Sequence, residues 1–364
     1  MMMNKKILYF ALSNLEDRSD GVTQKIYGQI KGFKKNSYDC YLAGYTNKGV
    51  AIYSKSDVIG KKARFRRWSL IDLTLKNVDK VKFDVAYIRF AHFTPGVMNL
   101  LKKMSRLGIR IYIEIPSFPI KYSKSIKGFL YHQLDKFYFP KIKKYVCKIL
   151  SVGEKISHIS GINNINIPNG INSNINYIKK AYNDNYDTLN FISVSAMYIT
   201  HGNDRIIKGF KNYYDIHPNS SIKLHFVGSG NEEEKLKQMV GDFELVNTVI
   251  FHGKKEGKEL EELYSLCDIG VSAIGIHRVG YSYASPLKSK DYLMRGIPFI
   301  CSYHEIGIPE NQPFIFNVPP NDDPIDITEV ISNYKRLKSI NYHKEIENII
   351  SNNLNWAHIL KVVE

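Results

Sequence analysis

A chain of 364 residues with 44% hydrophobic content is globular and long enough for two domains with full cores. Its 51 Lys and Arg against 35 Asp and Glu give a net charge of +16, unevenly spread: residues 1–180 hold 33 basic and 11 acidic residues, residues 181–364 hold 18 and 24. No run reaches 18 apolar residues, which excludes a membrane-spanning helix, and Cys40, Cys147, Cys267 and Cys301 stand singly, without metal-ligand spacing, as reduced core residues of a cytosolic protein would.

Ile7–Leu12 follows two lysines as a signal peptide would, but six apolar residues with no small-residue cleavage site predict a first strand instead. A loop over 13–20 leads to Gly21-Val22-Thr23, which opens a helix through Gln29. Cys40–Ala43, Val85–Phe90, Ile111–Ile115 and Lys148–Val152 are further predicted strands. Helix-length segments separate them, the pattern of a doubly wound parallel sheet. Ligands of such sheets bind outside the carboxyl ends of the strands. Two groups fall there: His92, in Arg89-Phe-Ala-His-Phe-Thr-Pro95, and Glu114, in Glu114-Ile-Pro-Ser-Phe-Pro119. The alternatives are a hydrogen-bonded histidine under a loop and a carboxylate capping backbone N–H groups of a turn.

Between Lys121 and Lys148 lysines alternate with aromatic residues, ending in Lys141, Lys143, Lys144 and Tyr145. That composition suits an anionic membrane surface, or a single-stranded nucleic acid, or a solvated helix with core aromatics. Membrane is the preferred reading and nucleic acid is not expected, because no RNA-binding signature accompanies the stretch. A lysine-rich genome bias explains part of the basic excess but not its confinement to one half.

Ile165-Asn-Ile-Pro-Asn-Gly-Ile171 predicts a strand closed by a sharp Pro168-Asn169-Gly170 turn. A polar stretch over 173–188 reads as a linker. A second βα series then starts with the strand Leu189–Ser195. The loop Met197–Arg205 and the helix Ile206–Tyr214 follow, then the strand Ile222–Val227 ending in Gly228-Ser229-Gly230 before a helix from Glu232. Gly-x-Gly without a third glycine is poor support for a dinucleotide fingerprint, but it brings backbone close to a ligand. Val249–His252 with Gly253 is another strand end, and Glu259–Cys267 an amphipathic helix.

The most informative stretch, Gly280–Cys301, follows an apolar run from Leu266 to Ile274. Ser285 as N-cap, Pro286 at the first helical position and Gly296 as the stop bracket a helix of about ten residues. A helix N-terminus attracts phosphate; Lys288 in its first turn supplies a cation, and Asp291 on the same face a carboxylate for hydroxyls. A Pro- and Asp-rich loop at 321–326 and C-terminal helices complete the chain.

Ser285-Pro-Leu-Lys-x-x-Asp-Tyr-Leu-x-x-Gly-Ile-Pro298 resembles the donor-site helix of retaining GT-B glycosyltransferases, the glycosyl transferase group 1 type (family 4-like). The Pro-Asn-Gly phrase and the Glu-Ile-Pro segment resemble parts of bacterial polysaccharide enzymes of that kind. The resemblance implies an α/β fold of two Rossmann-like doubly wound domains facing across a cleft. Their bounds would be 1–172 on the acceptor side, 173–188 as linker and 189–353 for the nucleotide sugar, with a helix at about 354–364, anchored by Trp356, crossing back to the first domain. It also implies donor contacts from Gly228, Ser229, Gly230, His252, Gly253, Tyr283, Ser285, Pro286, Leu287, Lys288, Asp291 and Arg205, and acceptor-side contacts from Gly21, Val22, Thr23, His92 and Glu114. Lys288, His201 and Glu114 are the expected catalytic groups. Departures are Tyr283 where a second glutamate is common, Asp291 for glutamate, and Ala196 and His201 where Arg and Lys are usual.

No cofactor or metal is expected, since the chain has no Asp-x-Asp triplet. The function implied is transfer of a sugar from a nucleotide sugar to a lipid-linked saccharide or other glycan acceptor, with retention, at the cytoplasmic membrane face in surface polysaccharide (capsule) assembly. A nucleotide-sugar epimerase of the same fold and a catalytically inactive nucleotide-sugar-binding scaffold are the alternatives.

Overall fold

A computed structural model describes residues 4–16, 20–54, 58–62, 67–171 and 177–363. The middle of the loop expected over 13–20, and the start of the expected linker, lie outside the described residues. The chain divides into two compact units, residues 1–172 with 355–364, and residues 173–354.

In the first unit the strands are β1 (Lys5–Asn14), β2 (Tyr38–Thr46), β3 (Gly49–Tyr53), β4 (Val58–Lys62), β5 (Val85–Arg89), β6 (Arg110–Phe118), β7 (Val146–Gly153), β8 (His158–Ile159) and β9 (Ile162–Asn166). They form a sheet in the order β4-β3-β2-β1-β5-β6-β7-β9-β8. The predicted parallel strands are there because each is a continuous apolar run: Ile7 to Ala11 are at most 1% exposed, with helices able to cover both faces. Helices α1 (Gly21–Lys35), α2 (Arg67–Asn77), α3 (Pro95–Arg106) and α4 (Ile126–Ile142) lie in the connections. Leu8, Phe10, Ile88, Leu101, Ile113 and Ile142 join one core cluster.

Several sequence expectations are corrected here. The sheet is not wholly parallel, since β2-β3 and β3-β4 pair antiparallel at one edge and β8-β9 at the other. Helix α1 runs past Gln29 to Lys35. Cys147 is exposed; Cys40, Cys267 and Cys301 are buried. Gly170 is needed for close approach and not for a positive φ, because a Cβ there would lie 2.6 Å from the Trp356 ring.

The second unit carries β10 (Asn190–Val194), β11 (Lys223–Val227), β12 (Val249–Phe251), β13 (Ile269–Val271), β15 (Phe299–Cys301) and β17 (Ile315–Asn317), in the order β12-β11-β10-β13-β15-β17 with parallel pairs throughout. A two-stranded ladder of β14 (Tyr283–Ala284) and β16 (His304–Glu305) stands apart. Helices α5 (Asn203–Ile216), α6 (Glu233–Asp242), α7 (Gly257–Leu266), α8 (Leu287–Met294), α9 (Ile327–Arg336) and α10 (Tyr342–Asn352) complete the unit.

Strand order reverses on either side of β10, so the loops after β10 and β13 diverge at their carboxyl ends and leave a crevice. In the first unit the same reversal falls at β1 and β5, from whose ends α1 and His92 follow. Helix α11 (Trp356–Ile359) belongs to the first unit. Trp356, 2% exposed, lies against Gly32 of α1, where a Cβ would sit 2.9 Å from it.

Candidate functional site

Helix α8 is shorter than its sequence suggests. It begins at Leu287 with Pro286 in the N-cap position and no side-chain cap. Pro286 takes the N-cap position expected for Ser285, whose hydroxyl accepts from the Lys290 ammonium. The first turn of α8 begins at the crevice edge of the sheet, and its N-cap residue supplies no side-chain acceptor. Tyr292 ties the helix down: its one hydroxyl proton is shared between the carbonyls of Ile192 and Val271, 3.1 Å each, and its oxygen accepts from Val194 N–H at 3.3 Å. Its ring fits because position 270 has no Cβ, which would lie 2.6 Å from it.

Lys288 is 8% exposed, and among the described residues its Nζ has no hydrogen-bond partner. Burial pulls its amine down to about 7. His201, on the loop after β10, is brought down to about 3, first by burial and then by the charge of Lys288, and among the described residues its Nδ1 also has no partner. An uncompensated buried cation beside a second nitrogen donor is costly to a folded protein and is relieved by an anion.

The surrounding loops are locked to one another. Ile274 N–H donates to His201 O at 3.1 Å, and Gly228 N–H to Gly253 O at 2.7 Å. A Cβ at Gly228 would stand 2.0 Å from Ser195 O and one at Gly230 1.6 Å from Ala196 O, so both glycines serve loop packing, with half-buried Ser229 between them. Gly253 turns with φ 64°. His252 Nε2 meets His225 Nδ1 at 2.9 Å, and burial lowers both. Asp291 keeps its side chain 51% exposed, 3.7 Å from Arg295 Nη1, and is able to accept hydroxyls. The Tyr283 ring stacks on His304, centroids 4.8 Å apart.

Two expected contacts are not where the sequence reading put them. Arg205 is 1% exposed and its guanidinium donates to the carbonyls of Asp323, Ile274 and Pro319 and to Asn321 Oδ1; it braces loops and has no fork left for phosphate. Glu114 lies within β6 and is fully buried, 2.6 Å from Lys25 Nζ and 3.3 Å from Arg89 Nη1, accepting from Gln29 and Tyr87. Burial would raise its carboxyl, but Lys25 and Arg89 bring it down to about 2. It is a structural ion cluster, not a group that reaches an acceptor.

Gly21 and half-exposed Val22 begin α1, while Thr23 is buried and engaged with Asp20 and Asn14, so its hydroxyl is committed to the helix cap. His92 follows β5 with φ 61° and its Nδ1 2.7 Å from Asp135 Oδ2.

Sequence reasoning missed the buried Lys290–Glu305 pair, which Tyr303 joins by donating to Glu305 at 3.0 Å. It fixes the Ser285 turn. No spacing in the sequence relates residues 290 and 305.

The fold is that of the GT-B glycosyltransferases. Sucrose-phosphate synthase from Thermosynechococcus elongatus shares it at TM-score 0.65 and 12% identity, over 98% of this chain and 97% of that one. A glycosyltransferase from Rickettsia africae does so at 0.65 and 12%, over 99% and 96%. The Anabaena protein HepE in complex with UDP does so at 0.66 and 11%, over 98% of each chain. Residues 174–275 match the family described as Glycosyl transferases group 1, a match that takes in His201, Gly228–Gly230 and His252 and ends before α8. No curated protein sequence matches the chain.

Proposed function

We propose that the chain is a glycosyltransferase that takes a sugar from a nucleotide sugar, with retention, and passes it to a lipid-linked saccharide or other glycan in bacterial surface polysaccharide assembly. The observation that carries this reading is the buried Lys288 ammonium, without a hydrogen-bond partner among the described residues, beside His201 at the start of α8. As the glycosidic bond breaks, charge develops on the departing diphosphate; Lys288, the His201 ring and the first N–H groups of α8 are preorganised to receive it without a metal. Asp291 accepts the ribose hydroxyls. HepE, of the same fold, is known with UDP bound, which supports a nucleoside diphosphate here.

A thermal-shift screen with UDP, GDP, dTDP and CDP tests the site: the matching diphosphate raises the melting temperature, since it binds only the native form. No shift with any of them, with and without EDTA, refutes the reading.

The acceptor is assigned to a membrane surface on the chemistry of α4. Ile126 is 83% exposed, and Phe129, Leu130 and Phe137 are each at least 55% exposed. Around them Lys124, Lys127, Lys136, Lys141, Lys143 and Lys144 are exposed, and the one carboxylate of the helix, Asp135, is buried. Apolar side chains among lysines suit the interface of an anionic bilayer on the cytoplasmic face. Replacing Lys141, Lys143 and Lys144 by Gln is expected to weaken binding to phosphatidylglycerol vesicles, and unchanged binding would remove the membrane from the proposal.

A further inference from the structure

Lys290 is a buried cation of α8 that the diphosphate chemistry leaves unused. It follows Lys288 by two residues, so the two side chains leave the helix about 200° apart. Lys288 lies beside His201, while Lys290, 3% exposed, turns under the ladder of β14 and β16. Its ammonium donates to the Glu305 carboxylate and to the Ser285 hydroxyl, with Ser289 Oγ 3.5 Å away. Glu305, its side chain 2% exposed, accepts on its other oxygen from the Tyr303 hydroxyl at 3.0 Å. An ionised carboxylate only accepts, so the Tyr303 proton is committed there. The 2.7 Å contact between Tyr303 and Ser272 therefore has the serine hydroxyl as donor.

These five side chains join three pieces of backbone at one rim of the crevice. Ser272 directly follows β13, and its N–H donates to Ile300 O at 2.9 Å. Glu305 stands opposite Ala284 in the parallel ladder, where His304 N–H donates to Ser282 O at 2.8 Å and Ile306 N–H to Ala284 O at 2.9 Å. Side chains alternate along a strand, so Glu305 points to one face of the ladder and His304, with Tyr283 stacked on it, to the other. Ser285 is the last residue before the Pro286 N-cap. A two-stranded ladder is marginal by itself, and a buried ion pair is not the most stable way to carry it. Apolar side chains of like volume in place of such a pair leave a fold as stable or more so. What the pair adds is direction, since an ammonium meets a carboxylate and a hydroxyl in one arrangement.

We propose that Lys290 and Glu305 are positioning residues for the diphosphate site: the pair fixes where residues 282–285 lie against α8, and so where Lys288 and the first N–H groups of the helix meet the ligand. The proposal rests on the glycosyltransferase reading and adds to it two residues that act through Ser285 and α8 instead of by contact.

Calorimetric titration of the full chain with UDP, GDP, dTDP and CDP, run well below each variant's melting temperature, tests it. Lys290→Met and Glu305→Gln should each lower the melting temperature and weaken binding of the diphosphate that the parent binds about ten-fold. Lys290→Met combined with Glu305→Leu should bring the melting temperature back to that of the parent, because no buried charge is left unpaired, while binding stays about ten-fold weaker. Affinity that returns together with stability would make the pair purely structural and overturn the assignment. Should the double variant fail to fold, Tyr303→Phe decides, since it keeps both charges: binding about three-fold weaker upholds the assignment, and parental affinity overturns it. A parent that binds none of the four diphosphates would overturn the glycosyltransferase reading and the assignment with it, whereas equal binding by parent and double variant overturns the assignment alone.

Discussion

Lys288 gives the sharpest expectations at the scale of single residues. Its amine, held at about 7 by burial, must be charged to hold a diphosphate, so binding takes up a proton. Affinity should therefore be highest below pH 7 and fall as the pH rises through that value. Calorimetry in buffers of different ionisation enthalpy would read the uptake directly. Lys288→Met should lower kcat about 10²–10³-fold while the melting temperature stays level or rises, because a buried amine is replaced by an apolar side chain of similar reach. A variant that loses stability and keeps its rate would reverse the assignment. Arg205→Met should do the opposite, since four acceptors lose their donor at once.

At the scale of elements, Glu114 joins β6 to α1 through Lys25 and to β5 through Arg89. Its folded pKa, about 2, lies below the ordinary 4.5, so its contribution to stability is complete above about 4.5 and is lost as the pH falls toward 2. Glu114→Gln should cost the first unit about 3 kcal/mol at neutral pH, by removing the carboxylate charge that faces Lys25 and Arg89, and should flatten the acid limb of its melting profile.

The parallel strands were legible because each is an apolar run, and α8 because Pro286, Lys288 and Gly296 mark its place. The antiparallel edge was not: β4 reads Val-Ile-Gly-Lys-Lys, half-exposed and without alternation. Nor was the fate of Arg205 or Glu114, since a local pattern names a residue's element but not the partners brought in from 25 to 118 residues away. His92 was visible as a strand-end histidine, while Asp135, which orients it, lies 43 positions on in α4.

Across the whole molecule, the first unit is completed by residues from beyond the second. Trp356 fills the space kept open by Gly32 and Gly170, and its ring has Lys25 Nζ 5.8 Å from its centroid. Trp356→Ala should cost about 3–5 kcal/mol, seen in calorimetry as a lower transition for the first unit with the second unmoved. A Gly32→Ala substitution should act on the same transition.

That closing wedge also orders events in time. While the chain is being made, everything up to residue 172 leaves the ribosome first, yet Trp356 cannot arrive until all of residues 173–354 have been polymerised. The leading half must therefore wait, with its α1 surface uncovered, for a plug encoded some 180 codons downstream.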